Sequence, residues 1–305
     1  MKEELIGKIN ELKKQRNAII LAHNYQLGEI QNIADFCGDS LGMSIQASKT
    51  DADVIICCGV EFMAETASIL CPDKKVLLPV EKAGCAMADM INAIELSKLK
   101  SKHPDAFVVT YVNSTAEVKA QSDCCCTSSN AKEVINALPA DREIIFGPDK
   151  NLGQYVQDQT GRELILWPGF CEVHMMITDD NIIDAKAKWP DAVVLVHPEC
   201  NRPVKNLADV ITSTGGMLSY VKQSKQKRFI IATETGIIHT MKKQCPDKQY
   251  MAANEDAICV DMKRIHLDDI VYSLESLNYE IKVEEETRIK ARNALDKMIS
   301  ILPAA

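Results

Sequence analysis

Short apolar runs alternate along the chain with longer stretches in which apolar residues recur at helical spacing. In the middle third of the chain, the runs predict strands at about 107–112, 123–126, 143–147 and 163–167. The helical stretches include 129–138 and 150–159 and, ahead of the strands of each third, 2–16, 88–102 and 178–188. Strands that alternate with helices favour an α/β fold with parallel sheets, in which right-handed crossovers place helices on both faces.

The same landmarks recur at an interval of about 87 residues. Apolar runs end at His23, Tyr111 and His197, which are 88 and 86 residues apart. The same two offsets, in one order or the other, relate further sets: Asp35, Asp123 and Asp209; Ser40, Ser128 and Thr214; Gly59, Gly147 and Thr233; and Cys85, Cys171 and Cys259. One match of this kind arises easily by chance, but several independent landmarks in one phase do not. We therefore infer three copies of one α/β unit.

The repeats predict three similar three-layer α/β/α domains, arranged with pseudo-threefold symmetry around a central cavity. The first, with its leading helix, covers 1–84, the second 85–170 and the third 171–258. Helices in 259–305 are expected to pack back on the first repeat. The segment from about 261 resembles another leading helix, and 283–301 a final amphipathic helix with the apolar positions Ile289, Leu295, Met298 and Ile301.

The composition narrows the class of protein. The chain has 305 residues, of which 46% are hydrophobic, so it can bury sizeable cores. Its net charge of −8 argues against nucleic acid and anionic membranes as partners. It contains no apolar run of the roughly 18–20 residues that span a bilayer, and its charged N-terminus does not resemble an export signal. Twelve cysteines in such a chain indicate a reducing cytoplasm, with thiols that are free or bind metal.

Polar residues follow the predicted strands at their carboxyl ends, where parallel α/β sheets bind ligands. His23 and Tyr25 follow one strand, Tyr111 to Asn113 the equivalent strand, and His197 with Glu199 the third. The hydroxyl residues Ser40, Ser128 and Thr214 are expected at helix N-caps. Helix N-termini present free N–H donors, so an acidic chain can still bind anionic small molecules in the predicted cavity.

Three cysteines that converge leave two kinds of metal site open. His174 lies three residues after Cys171 and could complete a Cys₃His zinc site, although the chain has no CxxC pair. Alternatively, three thiolates can hold a [4Fe–4S] cluster with one open iron, which acts as a Lewis acid in dehydration. The cysteines at 57, 58 and 124–126 lie in apolar strands and are expected to behave as small hydrophobic residues.

Several phrases of the chain resemble the quinolinate synthase family of bacterial NAD biosynthesis. They are ILAHNYQ, GDSLGM, YVNSTAEVK, TSSNA, FGPDKNLG, VHPEC, STGGM and ATETGIIH, together with single cysteines at 85, 171 and 259. The resemblance implies a triangle of three α/β/α domains around one [4Fe–4S] cluster per chain, bound by those cysteines. It implies a condensation of iminoaspartate with dihydroxyacetone phosphate to quinolinate, with loss of phosphate and two waters.

The resemblance also implies roles for residues of the cavity. Tyr25 and Glu199 would transfer protons, His23 would share in catalysis, and His174 would support the site near the cluster. The substrate site would contain His23, Ser40, Tyr111, Val112, Asn113, Ser128, His197, Glu199 and Thr214. Some relatives carry a CxxCxxC motif around the third ligand. This chain has Cys259 alone, so redox switching by that motif does not transfer to it.

Other functions remain open from the sequence. One is a [4Fe–4S] hydro-lyase that acts on a single hydroxy acid, and another is a non-catalytic iron–sulfur or zinc scaffold. A requirement for two substrates and the release of phosphate distinguish the synthase from the hydro-lyase. The expected partners are the two small-molecule substrates and, further, the enzyme that supplies iminoaspartate.

Overall fold

The computed structural model describes residues 2–302. Within them lie three four-stranded sheets, all of whose strands are parallel. Each sheet has the same order, in which the first strand of the unit lies between the second and the third, and the fourth lies beyond the third. The predicted α/β fold with three parallel sheets is confirmed. No helix within 2–302 is long and apolar enough to cross a bilayer.

The first unit contains a leading helix and three further helices around its sheet. Its strands are β1 (Ala18–His23), β2 (Phe36–Gly38), β3 (Val54–Cys58) and β4 (Lys75–Leu77). Its helices are α1 (Lys2–Arg16), α2 (Gly28–Ile33), α3 (Ser40–Lys49) and α4 (Glu61–Leu70). The central strands β1 and β3 are apolar and buried, so their carboxyl ends direct the polar residues that follow towards the centre of the molecule.

The second unit agrees with the predicted strands to within two residues. Its strands are β5 (Phe107–Tyr111), β6 (Cys124–Cys126), β7 (Ile144–Gly147) and β8 (Ile165–Leu166). Its helices are α5 (Ala86–Asp89), α6 (Ala93–Lys102), α7 (Ala116–Ala120), α8 (Ala131–Ala137) and α9 (Lys150–Thr160). The helix predicted at 88–102 is divided in two, because the Asn92 side chain accepts a hydrogen bond from the backbone of Glu95 and starts a new helix there.

The third unit is followed by two C-terminal helices. Its strands are β9 (Val193–Val196), β10 (Val210–Ile211), β11 (Arg228–Ala232) and β12 (Gln249–Ala252). Its helices are α10 (Glu172–Met175), α11 (Asp179–Lys188), α12 (Arg202–Asn206), α13 (Thr214–Gln223) and α14 (Ile237–Gln244). After them come a 3₁₀ turn (Met262–Arg264), α15 (Leu267–Ser276) and α16 (Glu285–Ser300).

The helix α15 corresponds to the predicted further copy of a leading helix, and it packs against α1. The Arg16 guanidinium, at the end of α1, donates to the backbone carbonyls of Leu274 and Glu275 at 3.2 and 3.0 Å. A cation there satisfies carbonyls of the last helical turn, which have no partner within the helix. The first and fourth leading helices therefore lie side by side.

The final helix, α16, packs against α7 and β6 of the second unit and against α4 of the first. Its buried face contains Ala291, Ala294, Leu295 and Met298. The prediction that Ile289 belongs to this face is wrong, since that side chain is 51% exposed. Small alanines, which the apolar pattern undervalues, let the backbone of α16 approach the two units closely and rotate Ile289 outwards.

Candidate active site

A cavity of about 650 Å³ lies where the three units meet. Nearly all the residues singled out in the sequence line it: His23, Tyr25, Ser40, Cys85, Tyr111, Asn113, Ser128, Cys171, His174, His197, Glu199, Thr214 and Cys259. Val112 is the exception, because its side chain lies in a smaller neighbouring void beside Met43 and Ser40. Apolar side chains, among them Phe62 and Met262, form the rest of the wall.

The predicted N-cap positions are wrong by one or two residues. Ser40 and Thr214 are the first residues of α3 and α13, whose caps are Asp39 and Ser213. Each cap accepts a backbone hydrogen bond, Asp39 from Gly42 at 2.8 Å and Ser213 from Gly216 at 3.2 Å. Ser128 lies in the turn before α8. Each pair of neighbouring residues, Asp-Ser and Ser-Thr, offers two good caps, so the pattern alone does not decide between them.

His23 and His197 occupy equivalent positions and have the same local hydrogen bond. The Nδ1 atom of His23 accepts from the backbone of Tyr25 at 3.2 Å, and that of His197 accepts from the backbone of Glu199 at 3.3 Å. Burial lowers the pKa of both imidazoles to about 3. Because Nδ1 is an acceptor in a neutral ring, the proton lies on Nε2. Both rings are therefore neutral donors at the wall of the cavity.

Glu199 is the centre of a buried polar cluster and is only 3% exposed. The Tyr111 hydroxyl donates to its Oε1 at 2.5 Å, and Nδ1 of His174 lies 3.0 Å from its Oε2. The rings of His174 and His197 are stacked at 4.6 Å. Burial by itself would raise the pKa of Glu199, but its interaction with His174 and the hydrogen bond from Tyr111 hold the pKa below its usual value. Glu199 is therefore a carboxylate.

Thr233 links Tyr25 to this cluster. Its Oγ1 lies 2.6 Å from the Tyr25 hydroxyl and 2.8 Å from Nε2 of His174. A continuous polar chain thus runs from Tyr25 through Thr233 and His174 to Glu199. Burial and the charge of Glu199 raise the pKa of Tyr25 well above its ordinary value, so the phenol keeps its proton. Thr233 was not among the predicted site residues, although the repeat gives a signal: the equivalent positions are glycines.

Each of the three cysteines lies just before a short helical segment, directly so for Cys85 and Cys171. Cys85 and Cys171 precede α5 and α10, and Cys259 lies before the 3₁₀ turn. Burial raises the pKa of all three thiols, and each is further raised by neighbouring acidic groups, including another of the cysteines for Cys85 and Cys171. Nearby backbone amides oppose this rise and lower the pKa in part: those of Ala88 and Met87 for Cys85, that of His174 for Cys171, and those of Met262 and Asp261 for Cys259.

This donor set fits an iron–sulfur cluster better than a Cys₃His zinc site. Four ligands of one zinc ion at about 2.3 Å must lie within about 4 Å of one another. Within residues 2–302, the group of three potential ligands whose donor atoms all lie within 4.8 Å of one another is Cys171, His174 and Glu199, and it contains neither Cys85 nor Cys259. Three cysteines that line one cavity without being grouped like the ligands of a single ion are compatible with a cluster.

Further polar contacts that the sequence did not predict surround the cavity. Lys263 bridges elements far apart in sequence: its Nζ lies 2.8 Å from Oε1 of the buried Glu234 and donates to the backbone carbonyl of Tyr25. Glu234 in turn accepts from the backbone of Cys259 at 3.2 Å.

A second contact joins all three units through Ser129. Its hydroxyl donates to Asp39 of the first unit at 2.6 Å and lies 2.8 Å from the Ser213 hydroxyl of the third.

Comparison with known proteins gives one consistent result. The profile of the family described as "Quinolinate synthetase A protein" matches residues 7–300. A quinolinate synthase of Geotalea uraniireducens is 51% identical over 299 residues, which are 98% of each chain. One from Dehalococcoides mccartyi is 50% identical over 303 residues, 99% of this chain and 100% of the relative. One from the archaeon Methanosarcina barkeri is 49% identical over 298 residues, 98% of each chain.

Proposed function

This chain belongs to the quinolinate synthetase A protein family, whose members are enzymes of NAD biosynthesis, and we propose that it condenses iminoaspartate with dihydroxyacetone phosphate. The products are quinolinate, phosphate and two waters. The observation that carries the proposal is the cavity in which three equivalent cysteines meet neutral donors and the buried carboxylate of Glu199.

We propose that Cys85, Cys171 and Cys259 hold one [4Fe–4S] cluster per chain. When bound, the cluster supplies an iron without a protein ligand, a Lewis acid for a leaving hydroxyl group. The thiols lie where burial raises their pKa, so they bind as thiolates only when a cationic group compensates their charge. The backbone amides near each cysteine stabilise the bound form further.

Neutral donors of the cavity bind the carboxylates and the phosphate of the two substrates. The Nε2–H groups of His23 and His197 are fixed by their Nδ1 contacts and do not titrate near neutral pH, because burial lowers the pKa of both to about 3. The hydroxyls of Ser40, Ser128 and Thr214, with the Tyr111–Asn113 segment, complete this donor surface. Binding by such donors needs no net positive charge in the protein.

Proton transfer is assigned to Glu199 and Tyr25. Glu199 is the base because it is ionised in the cavity, and the link through His174 and Thr233 lets a proton reach or leave Tyr25 without bulk water. His23 packs edge-on against Tyr25 at 4.6 Å and fixes its ring. The isomerisations that precede ring closure require such a movable proton.

We further propose domains at 1–84, 85–170 and 171–258, with 259–305 as a C-terminal segment, and a cytoplasmic location. Iminoaspartate is unstable in water, so a transient contact with the enzyme that supplies it belongs to the same proposal. The dihydroxyacetone phosphate site and the cluster site are the two features to test first.

The decisive experiment is anaerobic purification followed by iron, sulfide and zinc analysis and an assay with both substrates. We expect about four irons and four sulfides per chain, and quinolinate and phosphate only when both substrates are present. The C85A variant should lose iron and activity together, whereas C57A, in a buried strand position, should keep both. Stoichiometric zinc without sulfide would point to the scaffold, and turnover of a single hydroxy acid would point to the hydro-lyase.

A further inference from the structure

Three buried donor side chains occupy equivalent positions in the three units. Gln31, Lys119 and Lys205 are 88 and 86 residues apart, the same offsets that relate the cavity residues. They lie on α2, α7 and α12, the helices that follow the first strand of each unit. Their exposures are 5%, 0% and 7%. Long polar side chains are rarely buried so completely unless the protein binds their donors.

Each of these side chains binds the loop that precedes its own helix. Gln31 donates to the carbonyls of Asn24 and Gln26 at 3.0 and 2.8 Å. Lys119 donates to the carbonyl of Ser114, and Lys205 to that of Pro198 at 3.1 Å. These are the three loops that carry the cavity residues, from His23 to Tyr25, from Tyr111 to Asn113 and from His197 to Glu199. The carbonyl that Lys205 binds belongs to the residue directly before Glu199.

Each side chain also reaches the neighbouring unit, always at the helix after that unit's third strand. Gln31 donates to the Gly236 carbonyl at the start of α14, at 2.9 Å. Lys205 donates to the Asn151 carbonyl in the first turn of α9, at 2.6 Å. The Lys119 ammonium lies 5.6 Å from the centre of the Phe62 ring on α4. The contacts therefore run from the first unit to the third, from the third to the second and from the second to the first.

A purely structural role explains these residues poorly. Burial lowers the pKa of Lys119, and that of Lys205 to about 8, so holding two ammonium groups there opposes folding. Glu65 acts on Lys119 and Asp149 on Lys205, and both charges oppose this lowering of the pKa. Apolar side chains often replace a buried ion pair as a whole without loss of stability. What an apolar side chain does not do is bind the loop carbonyls and the neighbouring unit simultaneously.

We propose that Gln31, Lys119 and Lys205 are positioning residues that set the three active-site loops relative to one another. Each side chain contacts both the active-site loop before its own helix and a helix of the adjacent unit. A displacement of that unit therefore moves the loop as well. The roles of the loops rest on the proposed function, but the tie itself rests on the contacts alone. Lys205 is the most informative member because its loop carries Glu199.

The test compares K205M and K205Q with the wild type. Glutamine keeps an N–H donor and is the residue that the first unit uses at this position, whereas methionine keeps only the volume. Since a displacement of about 1 Å can cost about 10²-fold in rate, we expect kcat of K205M to fall by about 10- to 100-fold, with unchanged iron content. K205Q should recover most of that loss. The exposed K227M variant serves as the control and should match the wild type.

Hydrogen exchange supplies a readout that does not depend on activity. In K205M, exchange should accelerate at residues 197–201 and, across the unit boundary, at 150–152, and in K205Q it should not. Full activity of K205M would overturn the proposal. A K205Q variant as impaired as K205M would also overturn it, because the site would then require the ammonium charge of Lys205 and not its hydrogen bonds to the two carbonyls. If K205M fails to fold, K205Q is compared with the wild type, and a loss of most of the activity in K205Q overturns the proposal. If the wild type makes no quinolinate, the proposed function fails, and exchange alone decides the tie.

Discussion

The protonation states of the cavity residues follow from their burial around Glu199. Burial and the negative charge of Glu199 raise the pKa values of Tyr25 and Tyr111, so both phenols stay protonated, while burial keeps the imidazoles of His23 and His197 neutral. Glu199 therefore carries a negative charge in the cavity and is available as a base. The surrounding donors remain uncharged and can bind anions at any pH near neutrality.

Replacement of Glu199 by glutamine should abolish the base but keep the shape of the site. In E199Q we expect kcat to fall by about 10²–10⁴-fold, the usual contribution of a general base, with little change in substrate affinity. Steady-state kinetics and direct binding measurements under anaerobic conditions test this. The exposed E255Q variant is the matched control. Turnover of E199Q near the wild-type level would remove Glu199 from the proton-transfer step.

The buried imidazoles also predict how stability depends on pH. Their pKa is about 3 in the folded chain and about 6.5 in the unfolded chain, so between these values the unfolded state binds more protons. Stability should therefore fall as the pH falls through this window, by up to about 1.4 kcal/mol per pH unit for each ring.

Denaturant unfolding of the holoprotein between about pH 7 and about pH 5 measures this slope. The H197N variant should have a shallower dependence than the wild type. Equal slopes for the wild type and H197N would contradict the assignment of His197 as a buried neutral ring.

At the scale of elements, the aspartates at equivalent positions of the three units make the same backbone contact in each sheet. The Oδ2 atoms of Asp35, Asp123 and Asp209 each accept a hydrogen bond of 2.8 Å from the backbone of the first strand. The backbone N–H of each aspartate donates to the same strand residue, at 2.9, 2.8 and 3.0 Å. Each aspartate thus extends the pairing of a very short second strand at the amino end of its sheet, away from the cavity.

Loss of this contact should affect stability and spare catalysis. In D209A, Val194 loses an acceptor for its N–H group, and we expect the free energy of unfolding to fall by about 1–2 kcal/mol with unchanged kcat. In D209N, an amide oxygen can still accept, so most of the stability should return. Denaturant unfolding and activity assays test both. A loss of kcat in D209A without loss of stability would assign the aspartate to the active site instead.

The sequence predicted long, periodic elements well and short ones poorly. The strands of the second unit and the leading helices α1 and α11 are close to their predicted positions because each has a clear apolar pattern, whereas the leading helix predicted at 88–102 is divided in two. The helix α7, five residues long, was missed because it is shorter than two turns and leaves no readable period. The N-caps of α3 and α13 were misplaced because hydrogen bonds, and not hydrophobicity, decide between adjacent polar residues.

At the scale of the whole molecule, the cavity residues were predictable and the contacts that support them were not. The repeat brings together cysteines, histidines and hydroxyl residues because equivalent loops must face one axis. Thr233, Lys263 and Lys205 contact residues of other units that lie far away in sequence: Tyr25 for the first two and Asn151 for the third. A single sequence has no pattern that encodes such pairings, although the phase of the repeat does mark Lys205 and Lys119 as equivalent.

The helix α16 joins the first and second units, and its buried face should contribute strongly to stability. Leu295 is completely buried, so L295A should lower the free energy of unfolding by about 2–5 kcal/mol. I289A, on the exposed face of the same helix, should change it by less than about 0.5 kcal/mol. Denaturant unfolding of both variants tests the placement, and equal losses would contradict it.

The position of α15 beside α1 has a consequence for how such a chain arises by gene duplication. Each cysteine is followed by a short helical segment, a leading helix and, for the first two, a sheet. The third cysteine is followed by α15, which lies against the leading helix of the first sheet. One duplicated segment therefore transmits a cysteine, a leading helix, a sheet and a cavity loop in a single event. Point mutations in the copies then account for histidine at 23 and 197 and tyrosine at 111.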